Sequence, residues 1–200
     1  MWLYASNTRE LEETLRTTNP RYVFFLHWSW IVPEHIWKSH ECVCFHMTDV
    51  PYGRGGSPLQ NLILAGHHQT KLTALRMIAD VDAGPVYAKR LLTLDGSAEE
   101  IYRRAGQLSI EIIQWMIAQN PQPTPQEGEV VIFKRRKPEQ SGLPNSGSLQ
   151  SAYNFIRMLD ADGYPNAFLE YGEYIINFRN AKYIGDRVFA EAEIRLLKKD

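Results

Sequence analysis

The chain has 200 residues, 44 % of them hydrophobic and 12 % aromatic, with 22 Lys and Arg against 23 Asp and Glu. That length suits one domain with a small appendage, and the apolar content suffices for a buried core, which excludes disorder. A net charge of −1 argues against the clustered basic face of a nucleic-acid binder. No apolar run approaches the roughly 20 residues of a membrane span, and Met1-Trp2-Leu3-Tyr4 does not open a signal peptide. The expectation is a cytoplasmic protein with neither nucleic acid nor membrane as partner.

Asn7 predicts a capped helix from Thr8 to Thr17, ended before Pro20. Tyr22 to Leu26 is short, apolar and aromatic, the pattern of a strand buried on both faces of a parallel sheet. A short helix over 33–38 and a strand over Cys42 to His46 complete a βαβ unit. The stretch 47–57 reads as a glycine-rich loop. Ser57 caps the next helix, Pro58 takes its first turn and Gly66 ends it. Strands follow over Thr70 to Ile78 and Val86 to Leu94, joined by a turn at Asp82. Ser97-Ala98-Glu99-Glu100 is a capping-box signature that starts the longest helix, to about Ala118. Its stripe of Ile101, Ala105, Leu108, Ile112, Trp115 and Met116 predicts plain packing against a sheet.

The proline-rich run Asn120 to Pro125 marks a connection leaving the core. Val130 to Phe133 reads as a strand, 138–147 as a polar loop, and Ser148 caps a helix to Leu159. Strands at 167–171, 174–178 and 188–194 finish the chain as an antiparallel group. The organisation expected is an α/β core over 1–135 with a mixed sheet, then a small α+β tail over 136–200.

His46 ends a strand, and Asp82 sits in the turn Val81-Asp82-Ala83-Gly84. Open α/β sheets place ligands at strand ends. A histidine there can shuttle a proton near neutral pH while a carboxylate orients it. The bland alternative is a capped turn aspartate and a histidine bonded to backbone. Gly53-Arg54-Gly55-Gly56 has neither Walker nor dinucleotide spacing, so it is an anion loop or simply a tight turn. His40, Cys42, Cys44 and His46 alternate, which suggests zinc, but one strand seldom supplies four ligands and no second cluster exists. No metal is expected. The two cysteines are too extended for a disulfide with each other, and they suit a reduced compartment. The basic run Lys134-Arg135-Arg136-Lys137 reads as a solvated face or as an anion contact to a phosphate-bearing substrate.

Taken together, His46, Pro51, Arg54-Gly55 and Pro58, followed by Val81 to Val86, resemble the 10-formyltetrahydrofolate-dependent formyltransferase family over roughly 21–104. Ile156 to Leu159 and Gly163 to Phe168 echo the junction before that family's C-terminal β region. The resemblance implies a truncated Rossmann-like core and N-formyl transfer to the amine of a nucleotide-linked amino sugar, as in surface polysaccharide biosynthesis. The wording of the core is most similar to short bacterial enzymes of that kind, and a short tail that is not notably basic also favours a sugar substrate over tRNA. The alternatives are a catalytically impaired folate or nucleotide-sugar binding relative, or a methionyl-tRNA formyltransferase-like enzyme. A zinc hydrolase is a third class.

In register with the family, His46 and Asp82 are the catalytic pair. Cys44 stands where the family has an asparagine that donates to the formyl oxygen. A thiol is a poor donor, and losing such a donor costs about 2.7–4 kcal/mol of transition-state stabilisation. Thr48, Asn61 or His46 would then have to replace it. The pterin of 10-formyltetrahydrofolate would lie between Trp28, Ser29, Trp30 and Ile31 on one side and Ile78, Ala79 and Asp80 on the other. Thr48, Arg54, Gly55 and Asn61 would face the acceptor. A homodimer is an open expectation.

Overall fold

The structure is a computed structural model that describes residues 2–28 and 30–197. Its helices are α1 (Thr8–Thr17), α2 (Glu34–Ser39), α3 (Pro58–Leu64), α4 (Ala98–Gln119) and α5 (Leu149–Arg157). Its strands are β1 (Val23–Phe25), β2 (Cys42–His46), β3 (Tyr52–Gly55), β4 (Gln69–Arg76), β5 (Val86–Thr93), β6 (Val131–Phe133), β7 (Ala167–Tyr171), β8 (Tyr174–Ile184) and β9 (Arg187–Leu196). A 3₁₀ turn covers Pro138–Ser141.

The main sheet has the order β1-β2-β4-β5. β1 runs parallel to β2, with Val23 opposite Cys42, and β2 runs antiparallel to β4, with His46 opposite Thr73. The sheet is therefore mixed. β1 is an edge strand whose Val23 and Phe24 are only half-buried, so it is not covered on both faces as its apolar run suggests. β7, β8 and β9 form a separate antiparallel sheet, and β8 and β9 are longer than the sequence pattern predicts. The fold is thus α/β with a mixed sheet, plus a C-terminal antiparallel sheet.

Backbone contacts divide the chain into two compact units. The first comprises Met1–Arg54, Lys71–Arg90 and Gly106–Ile132, and the second Gly55–Thr70, Leu91–Ala105 and Phe133–Asp200. In the first, Asn7 caps α1 by accepting from the Glu10 amide at 3.0 Å, and Leu11 enters a cluster with Phe25, Val32, Ile36 and Cys42. In the second, Ser97 and Glu100 exchange the bonds of a capping box at 2.8 and 3.3 Å. Along α4, Ile101, Ala105, Ile112 and Met116 are buried, as their spacing requires. Ser148 caps α5 through the Ser151 amide.

Three local expectations fail for identifiable reasons. The glycine-rich loop contains β3, because its backbone pairs with β6 and needs no β-forming side chains to do so. Ser57 has φ 49° and makes no side-chain cap; its Oγ instead accepts from the Arg136 amide at 3.0 Å. The proline-rich run does not simply depart from the sheet: it stays at the surface, but Thr124 and Val86 exchange backbone bonds of 2.7 and 2.9 Å at the edge strand β5.

Candidate active site

β2 delivers Cys42, Cys44 and His46 to one face by simple alternation. Cys42 is spent in the apolar cluster. The Cys44 thiol points at the Leu75 carbonyl at 3.7 Å. Burial, with the Asp82 carboxylate adding to it, pushes that thiol up to about 12, so it stays protonated at neutral pH. It is no nucleophile there. His40 lies outside the strand, as the residue that ends α2. Among the described residues, no three of His, Cys, Asp and Glu gather as a metal site.

His46 is buried, and an oxygen faces each of its ring nitrogens. Nδ1 stands 3.5 Å from Asp82 Oδ2, and Nε2 lies 2.8 Å from the Gly53 carbonyl. A carbonyl only accepts, so Nε2 carries a hydrogen. Asp82 reaches this place because the turn after β4 folds back over the face of β2 that carries Cys44 and His46. The turn is tight: Asp82 has φ 54°, and a Cβ on Gly84 would lie 1.8 Å from the Arg76 carbonyl oxygen, so only glycine fits.

The loop after His46 is tied down on both sides. Thr48 is fully buried, its hydroxyl donates to the Gly53 carbonyl at 3.2 Å, and its own carbonyl accepts from Thr73 Oγ1 at 2.7 Å. Asp49 pairs with Lys71 at 2.8 Å and with Lys89. Partial burial works against its charge, but those two ammonium groups outweigh it and hold the carboxyl below its ordinary range. Arg54 directs Nε and Nη2 onto the Gln126 Oε1 at 3.0 and 2.7 Å. Gln126 carries no signal in the sequence, since it is one polar residue directly after a proline-rich run.

Of the residues expected around a pterin, Trp28 packs on the apolar cluster and meets Trp30 edge to face at 5.1 Å. The Trp28 indole N–H is buried without a hydrogen-bond partner. Trp30 and Ile78 are 55 and 40 % exposed, and Ile31, Ala79 and Asp80 are exposed as well. Met77, next to Ile78, packs on the same cluster as Trp28. Ser29 lies outside the described residues.

Gly55 and Asn61 belong to the second unit. There the Asn61 amide donates to the carbonyls of Gly56, Ser57 and Lys134 at 3.0, 3.0 and 3.1 Å. Gly56 in turn donates to the Phe133 carbonyl. These bonds fix the basic run 134–137 against the loop. Each of the donors weighed as a replacement at the Cys44 position is therefore engaged: Thr48 and His46 with Gly53, and Asn61 with the loop backbone.

Three comparisons bear on this geometry. Residues 138–195 match a family model described as the methionyl-tRNA formyltransferase C-terminal domain. A solved structure described as methionyl-tRNA formyltransferase from Clostridium thermocellum is 44 % identical, with a TM-score of 0.93, covering 96 % of this chain and 85 % of that one. This chain belongs to the formyltransferase family. A sugar N-formyltransferase from a Shewanella species shares the fold at TM-score 0.71 and 15 % identity, covering 88 % of this chain and 75 % of that one. Aquifex aeolicus HypX in complex with tetrahydrofolic acid does so at TM-score 0.67 and 18 % identity, covering 81 % and 29 %. Against the Rickettsia felis methionyl-tRNA formyltransferase, 25 % identity runs over 192 residues, 91 % of this formyltransferase-family chain, which spans 63 % of that relative's length. Among these comparisons the likeness to tRNA formyltransferases exceeds that to the sugar enzymes, contrary to the subfamily the sequence wording suggests.

Proposed function

We propose that this chain transfers a formyl group from 10-formyltetrahydrofolate to a primary amine, with His46 and Asp82 as the catalytic pair. The observation that carries the reading is the His46 ring, held between Asp82 and the Gly53 carbonyl within a chain 44 % identical to a solved family member. The amine nitrogen attacks the formyl carbon and its π electrons move to oxygen. The His46 Nε2 hydrogen, given up by Gly53, meets that oxygen. Asp82 holds Nδ1 and helps to receive the proton the amine loses. Collapse re-forms the carbonyl and breaks the bond to N10, which takes up the proton the amine lost, so that tetrahydrofolate leaves neutral at N10. The half-exposed Trp30 edge, the unpartnered Trp28 N–H and exposed Ile31, Ile78, Ala79 and Asp80 suit a flat ring with polar edges. The attacking amine must be unprotonated, so turnover falls as the pH is lowered.

Methionyl-tRNA is the first acceptor in this reading, because the 44 % relative and the model matched by residues 138–195 both carry that name. A nucleotide-linked amino sugar is the second. The charge of the C-terminal sheet favours it: Arg179, Lys182, Arg187 and Arg195 are balanced by Glu170, Glu173, Asp186, Glu191 and Glu193, a poor surface for a polyanion. Both acceptors bear phosphates, which suit the fixed basic run 134–137. Arg54 is held with its guanidinium toward Gln126, on the acceptor loop of this reading. The test is tetrahydrofolate release from 10-formyltetrahydrofolate with methionyl-tRNA and with a panel of UDP- and dTDP-linked amino sugars, His46→Ala serving as control. Turnover lost in the control establishes the activity and names the acceptor class. No turnover with any acceptor in the panel overturns the reading in favour of an impaired binding relative.

A further inference from the structure

Gln126 uses its whole hydrogen-bonding capacity on the two halves of the candidate site. Its Oε1 accepts twice from Arg54, at 3.0 and 2.7 Å. Its Nε2 donates to the Asp82 and Gly84 carbonyls, at 2.8 Å each. Only an amide offers two lone pairs on one atom and two hydrogens on its neighbour. A carboxylate of the same shape keeps the first half and loses the second.

The strap that carries this residue is itself anchored. Asn120 accepts from the Tyr22 hydroxyl at 3.0 Å, and Thr124 pairs with Val86 at the start of β5. Pro121 and Pro123 limit the freedom of the segment between these points, and Pro125 that of the link to Gln126. The turn it grips is one that local preference does not hold. Asp82 is a non-glycine residue at φ 54°, an uncommon backbone conformation that contacts from its surroundings help to hold. Of the two carbonyls Gln126 holds, one is that residue's own and the other lies two residues on, at Gly84. Its carboxylate stands 3.5 Å from His46 Nδ1, so a shift of the turn changes that separation directly.

We infer that Gln126 is a positioning residue: it fixes the Asp82 turn on His46 and ties it to Arg54. The inference rests on the roles proposed for His46 and Asp82. The decisive variant is Gln126→Glu, with Gln126→Ala beside it. In turnover with the active acceptor, Q126E lowers kcat at least tenfold, with KM for 10-formyltetrahydrofolate within threefold of the parent. In the Asp82→Asn background the same change costs less than twofold, because its effect runs through Asp82. A general structural defect would instead lower kcat by the same factor in both backgrounds. Two measurements need no turnover. Amide hydrogen exchange over 80–85 speeds up at least tenfold in Q126E, and the His46 ring ¹⁵N signals move toward those of Asp82→Asn. Parental kcat in Q126E, or full additivity with Asp82→Asn, overturns the inference. So do parental exchange and unmoved His46 signals. An inactive parent whose exchange and ring signals respond as expected overturns the activity reading and leaves the clamp standing.

Discussion

Asp82 meets His46 at 3.5 Å, Oδ2 to Nδ1, although the strand pairing puts Thr73, not Asp82, opposite His46 in the sheet. The contact is made by a turn folding over the sheet. If the pair works as proposed, His46→Ala lowers kcat/KM by roughly 10²–10⁴, the range for a positioned proton-transfer group. Asp82→Asn keeps the shape and loses the charge, so it lowers kcat more than it raises KM. Steady-state kinetics at saturating 10-formyltetrahydrofolate check both.

On the resemblance, Cys44 stands where the family is expected to carry an asparagine, and its thiol is held protonated by burial and by the Asp82 carboxylate. Two outcomes are expected. Iodoacetamide at pH 7 leaves Cys44 unmodified in the folded protein, as peptide mass analysis will show. Cys44→Asn restores an amide donor and raises kcat by about 10-fold or more, within the roughly 10²–10³ that one such donor supplies elsewhere. A fall in kcat would place the donor on another residue.

Both cysteines are pushed up to about 12, Cys42 by burial and the neighbouring Glu41, and Cys44 by burial and Asp82. Unfolding returns them to an ordinary thiol value near about 8.5. The folded values are raised, so this stabilisation is complete below the unfolded value and is lost as the pH rises toward the folded one. Urea midpoints should fall between pH 8 and 11, and less steeply in Cys42→Ala/Cys44→Ala than in the parent.

Asp49 titrates in the opposite sense. Burial opposes its charge, yet Lys71 and Lys89 hold its carboxyl low. Its contribution is present above the ordinary aspartate value of about 3.9 and is lost as the pH falls through the lower folded value. Asp49→Asn should remove part of the stability lost below pH 5. Denaturation midpoints at pH 3, 5 and 7 measure that part.

Gly56 is required by packing. A Cβ there would lie 2.5 Å from the Arg135 Cα, a backbone atom that no rotamer change can clear. Gly56→Ala should cost about 1–3 kcal/mol, as overpacking does, and lower Tm by roughly 2–4 °C for each kcal/mol. Gly106→Ala is the control, because nothing lies within 4 Å of a Cβ there and the residue is inside α4.

Much of this was legible in the chain because it is local. Asn7, Ser97 with Glu100, and Ser148 cap helices with bonds reaching three residues ahead. The alternation 42–46 and the periodic stripe of α4 state which faces turn inward. β3 escaped because a glycine-rich ribbon held by β6 has no pattern of its own. The cap at Ser57 failed because Arg136, far along the chain, takes its hydroxyl.

The sequence by itself determined the α/β class, the positions of most helices and strands, and the candidacy of His46 and Asp82, since hydrophobic period, capping and motif spacing act over a few residues or repeat in register. Only the tertiary structure decided what those groups touch. It set Nε2 on the Gly53 carbonyl, spent the Asn61 amide on three loop carbonyls and brought Gln126, just after a proline-rich run, onto Asp82 and Arg54. The physical reason is that a side-chain hydrogen bond is specified by two groups at a distance of about 3 Å, and the chain between them, here 72 residues from Arg54 to Gln126, carries no record of that meeting.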